Sequence, residues 1–156
     1  MSELVTLSRS DNRFQSYIEG TFARDKRAIP LKSLNVNTDA EQVTFQIIDL
    51  EKIEKPFWSF YWLQTLKARN FLFVAFPIFL IFAKSLWNHS LLDPTTAILS
   101  SLGAFCLMTA LNLRNDYADH LSGLDRIHPQ AGSRAIQLGW VTAKSVLNWS
   151  YFYLVL

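Results

Sequence analysis

Asn115, Asp116, Asp119 and Asp125 are the residues whose types and spacing most plainly suit chemistry. They lie in NLRNDYADHLSGLDR, residues 112–126, directly after a charge-free run from Thr95 to Leu113. Carboxylates beside a membrane-length apolar run are costly and mark a functional site by default. On a helix that continues through residue 119, Asn115 and Asp119 are four apart and share a face, and Asp116 and Asp119 lie side by side. Two such acids repel unless a cation sits between them. Oxygen-only ligands suit Mg²⁺, which keeps waters and bridges to substrate phosphates. Asp125 is nine residues beyond Asp116 and would point roughly the other way on a continuous helix of ~3.6 residues per turn. Ser122-Gly123 offers a break that turns it back, because glycine tolerates the backbone angles of a sharp turn. The competing reading is a solvated helix end on which the acids accompany Arg114 and Arg126. Acids at a helix C-terminus oppose the macrodipole, so that arrangement is no stabilising default. From the bare residues the two readings stand level. His120 and His128 are expected to be solvated loop residues, since hard Mg²⁺ prefers oxygen.

The elements that must position these residues are apolar. The run NFLFVAFPIFLIFAKSLW, residues 70–87, is almost free of charge, and at ~1.5 Å per residue it nearly matches the hydrocarbon thickness of a bilayer. Pro77 kinks it, which neighbouring helices can accommodate, and Lys84 near its far end can snorkel. Residues 88–94 read as a short polar loop. A second span covers 95–113, with Ser100, Ser101, Gly103 and Ala104 allowing close helix approach. After a polar loop, 120–140, a third apolar run covers 141–156 and is short of the ~20 residues a span requires, so it looks cut short. Before the first span, Phe57-Trp58-Ser59-Phe60-Tyr61-Trp62 is dense in rings of the kind that settle at headgroup level. Phe71, Phe73, Phe76 and Phe79 could line a channel for an apolar chain, but each taken singly suits packing or lipid contact better, because the first span is apolar all round.

Residues 1–55 carry 8 Lys/Arg and 9 Asp/Glu, whereas residues 56–156 carry 7 and 4. The first third is expected to be a polar cytoplasmic extension, partly disordered before residue 40 and too short for a sizeable core of its own. Within it, Val43, Phe45 and Ile47 alternate as in a strand, while Val43, Ile47 and Leu50 fit a helix, so periodicity leaves both open. Met1 to Arg13 has no basic start followed by an apolar region, and predicts no cleaved signal. A net charge of +2 gives no electrostatic case for nucleic-acid binding. The single cysteine, Cys106, lies in an apolar run and reads as a packing residue. Lys52, Lys55, Lys67 and Arg69 precede the first span, and Arg114, Arg126, Arg134 and Lys144 follow the second. That asymmetry favours a cytoplasmic amino terminus and a cytoplasmic 114–140 loop.

The stretch NDYADHLSGLD, residues 115–125, resembles the first aspartate-rich motif, NDxxDxxxD, of the UbiA superfamily of intramembrane prenyltransferases. With Gly at position 123 instead of Asp, it is closer to the variant NDYxDxxxGxD of the branch that prenylates 1,4-dihydroxy-2-naphthoate in menaquinone synthesis (MenA-like). GSRAIQLGWVT, residues 132–142, is similar to the same branch, where a basic residue, a Gln and a Gly precede the next helix. KARNFL, residues 67–72, is similar to the family's basic approach to its first helix, although the family has Arg-Pro where this chain has Arg69-Asn70. The resemblance covers roughly residues 60–156 and leaves residues 1–55 outside it.

The resemblance implies an all-α integral membrane protein of the bacterial inner membrane. Residues 56–156 would supply the first three helices of a nine-helix bundle, behind the extension 1–55. It implies that Asp116, Asp119 and Asp125 hold Mg²⁺ on the diphosphate of a polyprenyl diphosphate, with Asn115 in the same shell. The allylic cation would then be attacked by an aromatic acceptor, with loss of CO₂ in the naphthoate branch. Arg134 is a candidate diphosphate clamp by its planar fork, or else a charge that sets topology; Gln137 reads as a surface residue. The family's second aspartate motif and its acceptor-binding residues have no counterpart in residues 1–156, so these residues alone are expected to lack transferase activity. The alternatives are a non-catalytic membrane interaction protein or remnant derived from a prenyltransferase, with residues 1–55 as its partner surface, and a transporter-like fragment whose acids serve ion passage.

Overall fold

A computed structural model describes residues 3–88, 93–128 and 133–156. Its first part is a small antiparallel sheet. The alternation of Val43, Phe45 and Ile47 belongs to a strand, β3 (Gln42–Asp49), which buries all three side chains on one face. β1 (Glu3–Ser8) and β2 (Lys26–Leu34) flank it in the order β1-β3-β2. Leu7 stands opposite Val43 and Val5 opposite Phe45. A register shift between Pro30 and Lys32 lies in β2, an edge strand, where proline is tolerated. Helix α1 (Phe14–Glu19) lays Phe14 and Ile18 on the same face, with the Phe14 ring edge-on to Phe45 at 6.2 Å. Full burial of one such side chain is worth about 1.5–3 kcal/mol, so this cluster is what holds the unit together.

Two expectations need correction here. The described residues before 40, from Glu3 on, are not unstructured, since β1, α1 and β2 all lie there. The chain is largely helical but not all-α, because it carries this three-stranded sheet. The physical reason is that β1 and β2 are edges, with Leu4, Leu31 and Leu34 exposed and Lys26, Arg27 and Lys32 interspersed. Their apolar alternation is therefore too diluted to stand out.

The second part is helical. Helix α2 (Trp58–Thr65) leaves Trp58, Phe60 and Leu63 exposed. Lys67, in the left-handed region at φ 51, separates it from a short 3-10 turn, Ala68–Asn70, and from helix α3 (Phe71–Trp87). Pro77 lies within α3, and the helix runs on through it. Helix α4 (Pro94–Ser122) starts on an Asp93 cap that accepts from the Thr96 amide at 2.8 Å. Ala68–Trp87 and Pro94–Ser122 are each long and apolar enough to cross a membrane. The expected span 70–87 falls on α3. The expected span 95–113 is only the first part of α4, whose 29 residues extend about 43 Å at ~1.5 Å each. The polar stretch after residue 113 is thus the last part, about two and a half turns, of one helix. Residues 89–92 of the expected first loop and 129–132 of the expected second loop, Gly132 included, lie outside the described residues.

Helix α5 (Leu124–Ile127) follows Gly123, and helix α6 (Ala143–Val155) starts on a Thr142 cap. α6 packs along α4 through Leu113, Ala143 and Val146, joined by Ile136. Trp149 of α6 meets Trp62 of α2 edge-to-face at 5.6 Å. α6 occupies most of the third apolar run and, with 13 residues, is shorter than a ~20-residue span. α3 touches α4 at Phe71–Phe105, 5.4 Å between rings, and buries Ser85 near its far end, while Phe73, Phe76 and Leu86 are exposed.

Candidate functional site

Asp116, Asp119 and Asp125 gather at the polar end of α4, each held differently. Asp116 is only 3 % exposed. Its Oδ1 lies 2.5 Å from Lys67 Nζ, yet neither of its oxygens has a partner in hydrogen-bond geometry. The contact is a close charge pair on Oδ1 alone, so Oδ2 of a buried carboxylate is left without a donor among the described residues, a costly state for a charged group. Lys67 can reach it because its left-handed backbone turns the chain between α2 and the start of α3.

Asp119 is half-buried and accepts from Asn115 Nδ2 at 2.8 Å, the i, i+4 geometry expected on one helix face. Asp125 is 4 % exposed. α4 ends at Ser122, and Gly123 takes φ 83, so the chain reverses before Asp125. Burial pushes the Asp125 carboxyl up to about 6, and the facing charges of Asp116 and Asp119 push the same way; Lys67 and Arg126 pull less strongly against them. The ordinary value is 3.8, so the stability this group contributes is complete below that pH and is lost as pH rises through about 6. Metal-free protein is therefore expected to lose melting temperature between pH 5 and pH 7, with a smaller loss in Asp125→Asn. Equal slopes in thermal melts of the two proteins would contradict the burial of this acid.

Among the described residues, no three Asp, Glu, His or Cys groups converge closely enough to hold a metal ion by themselves. Lys67 supplies the positive charge at Asp116, and Asn115 engages Asp119. The donor chemistry still suits a hard cation. All the ligands on offer are oxygens, both Asp116 oxygens are buried, and a neighbouring acid is raised by burial and, after it, by like charge.

Arg134 is exposed, with φ 60, and opens the turn that runs to Gly139. Among the described residues it makes no ion pair with the aspartates, and Gln137 is half-buried in the same turn. The solvated alternative for the acids fares no better, because neither nearby arginine pairs with them. Arg114 Nη1 donates to Tyr151 Oη at 2.9 Å, and Arg126 donates to Glu41 at 2.6 Å. His120 corrects another expectation. It is not a solvated loop residue but 2 % exposed on α4, its Nε2 3.0 Å from the Ile18 carbonyl oxygen. His128 is exposed.

Comparison with known protein families, curated proteins and solved structures found no match.

Sequence reasoning overlooked Lys67 and Glu41 as parts of this neighbourhood, and it gave Tyr117, His120 and Arg126 no partners in the sheet unit. Lys67 was legible only as a charge before an apolar run. Glu41 is far away in sequence, and only the fold of the sheet carries it here.

Proposed function

We propose that the polar end of α4 binds Mg²⁺ together with the diphosphate of a polyprenyl diphosphate, in a UbiA-type prenyltransferase embedded in a bilayer through α3 and α4. The observation that carries this reading is Asp116: a buried carboxylate with Lys67 on Oδ1 and no donor on Oδ2 among the described residues, at the end of a helix apolar enough to cross a membrane. Such a group is expensive without a ligand. Asp116, Asp119 and Asp125 would hold the ion, which when bound supplies Lewis-acid neutralisation of the leaving diphosphate. Asn115 fixes the Asp119 carboxylate by donating to it. Lys67, already on Asp116, is placed to move its ammonium to a phosphate oxygen as the cation takes its place. The acceptor class is an electron-rich aromatic, 1,4-dihydroxy-2-naphthoate by the resemblance of residues 115–125. Activity would require further helices, and Arg134 joins the site only if its turn moves. The membrane is the bacterial inner membrane, with the sheet on the cytoplasmic side.

The deciding experiment is calorimetric titration of farnesyl diphosphate into the purified chain in detergent, with and without Mg²⁺. Binding that needs Mg²⁺ supports the reading; Mg²⁺-independent binding or none rejects it. The Lys67–Asp116 pair favours a second reading, a non-catalytic membrane interaction protein derived from a prenyltransferase, in which the lysine permanently occupies the cation's position. That reading expects no Mg²⁺ effect at all.

The bilayer placement has its own check. Phe57, Trp58, Phe60 and Leu63 are exposed around α2, next to Lys67 and Arg69, as an interfacial helix requires. In reconstituted vesicles, lipids brominated near the headgroup should quench tryptophan emission more than lipids brominated at the chain ends, and Trp58→Phe should shrink the difference. Equal quenching at both depths would remove α2 from the interface.

A further inference from the structure

Each of the three aspartates is followed at once by a residue that grips the amino-terminal sheet unit. After Asp116, Tyr117 donates its hydroxyl to Glu19 Oε1 at 3.1 Å. After Asp119, His120 Nε2 meets the Ile18 carbonyl oxygen at 3.0 Å. After Asp125, Arg126 donates to Glu41 Oε1 at 2.6 Å and to the His120 carbonyl at 2.9 Å. At about 100° per residue, Asp116 and Asp119 occupy one sector of α4, while Tyr117 and His120 occupy the adjacent one. Leu121 adds an apolar contact to the sheet core.

Glu41 is the centre of the grip. It is 0 % exposed and uses both oxygens, one on Arg126 and the other on Arg9 at 2.9 Å. Buried ion pairs return little net stability, because desolvation offsets their attraction; their best-attested use is fixing register. Here the pair ties the start of β3 to the turn that carries Asp125. Gly123 is closed in by the same grip, since a Cβ there would strike Val36 Cγ1 and Arg126 Nη2.

We infer that the sheet unit is a positioning module for the aspartate cluster and that Glu41 is the positioning residue through which it acts. Glu41 touches no aspartate; it sets where Asp125 stands relative to Asp116. The inference deepens the proposed cation site and rests on that reading for its functional meaning.

The test uses the full chain in detergent, with Mn²⁺ alone as the probe. Free Mn²⁺ is read by electron paramagnetic resonance, and amide hydrogen exchange is followed in metal-free protein. Glu41→Gln should speed exchange at residues 120–127 at least tenfold, leave the amides of 43–47 protected, and weaken Mn²⁺ binding about tenfold. Unchanged exchange at 120–127 overturns the inference, and so does faster exchange with undiminished Mn²⁺ binding. If Glu41→Gln also exposes 43–47, the milder Arg126→Lys, which keeps the charge but loses the planar fork, should give the local effect alone; no local effect there overturns the inference. Asp119→Asn separates the two ideas. If it leaves Mn²⁺ binding intact, or if wild type binds none, the cation site is rejected, and the metal-free exchange result decides the coupling by itself.

Discussion

Asp116→Asn is expected to weaken Mg²⁺-dependent binding of a polyprenyl diphosphate about 100-fold or more, without unfolding the chain. Altering outer-shell partners of metal sites typically costs 10–100-fold, and Asp116 is assigned to the ion itself. A 100-fold loss is about 2.7 kcal/mol. The substitution keeps shape and removes only charge, so the buried volume between α4 and Lys67 is undisturbed. Metal-free stability should not fall by a comparable amount. Breaking a buried pair is severe when it strands a buried charge, but Lys67 keeps 20 % of its side chain exposed and can turn towards water. The Asp125 carboxyl, which the Asp116 charge helps to raise, should also titrate lower in this variant. Calorimetry gives the affinity, and a pH series of thermal melts gives the titration. Wild-type affinity in Asp116→Asn would remove this residue from the site. A collapsed fold would mean that its pairing with Lys67 is structural first.

Gly123→Ala should cost about 3 kcal/mol of stability and disturb Asp125 at the same time. The backbone at Gly123 has φ 83, a left-handed conformation that costs an L-residue with a Cβ about 1–2 kcal/mol. The added methyl must also fit against Val36 Cγ1 and Arg126 Nη2, and overpacking typically costs about 1–3 kcal/mol. The guanidinium cannot easily give way, because Glu41 and the His120 carbonyl hold it. Gly103→Ala is the control. Nothing lies within 4 Å of a Cβ built there, and alanine is the better helix former by about 1 kcal/mol. Denaturation curves of the two variants should therefore differ in sign or nearly so. Equal stabilities would show that the turn at 123 relaxes freely.

The apolar elements were legible because uninterrupted hydrophobicity is a local signal. The runs at 70–87 and 95–113 coincide with α3 and the first part of α4. The turn at Gly123 was legible for the same reason, as one residue type that permits one backbone conformation. The sheet was not, because two of its three strands are edges on which leucines face outward and charged residues interrupt the alternation. His120 and Arg126 were misjudged because their partners, the Ile18 carbonyl and Glu41, lie 102 and 85 residues away. Polarity in a sequence shows that a residue can face water, not that it does. Lys67 was read as a charge that orients the chain, and only the fold brings it onto Asp116.

α4 also acts as a rigid gear. The apolar stretch that begins at Pro94 and the acidic end at Asp116 and Asp119 belong to one unbroken helix, so rotation at one end is rotation at the other. A single residue inserted near Gly103 would turn everything beyond it by about 100°, bringing Tyr117 and His120 out of mesh with the sheet and the aspartates out of reach of Lys67. Four inserted residues would add about 400°, nearly restoring the angle while lengthening the shaft by about 6 Å. The spacing between the two ends of this helix is therefore constrained in phase far more tightly than in length.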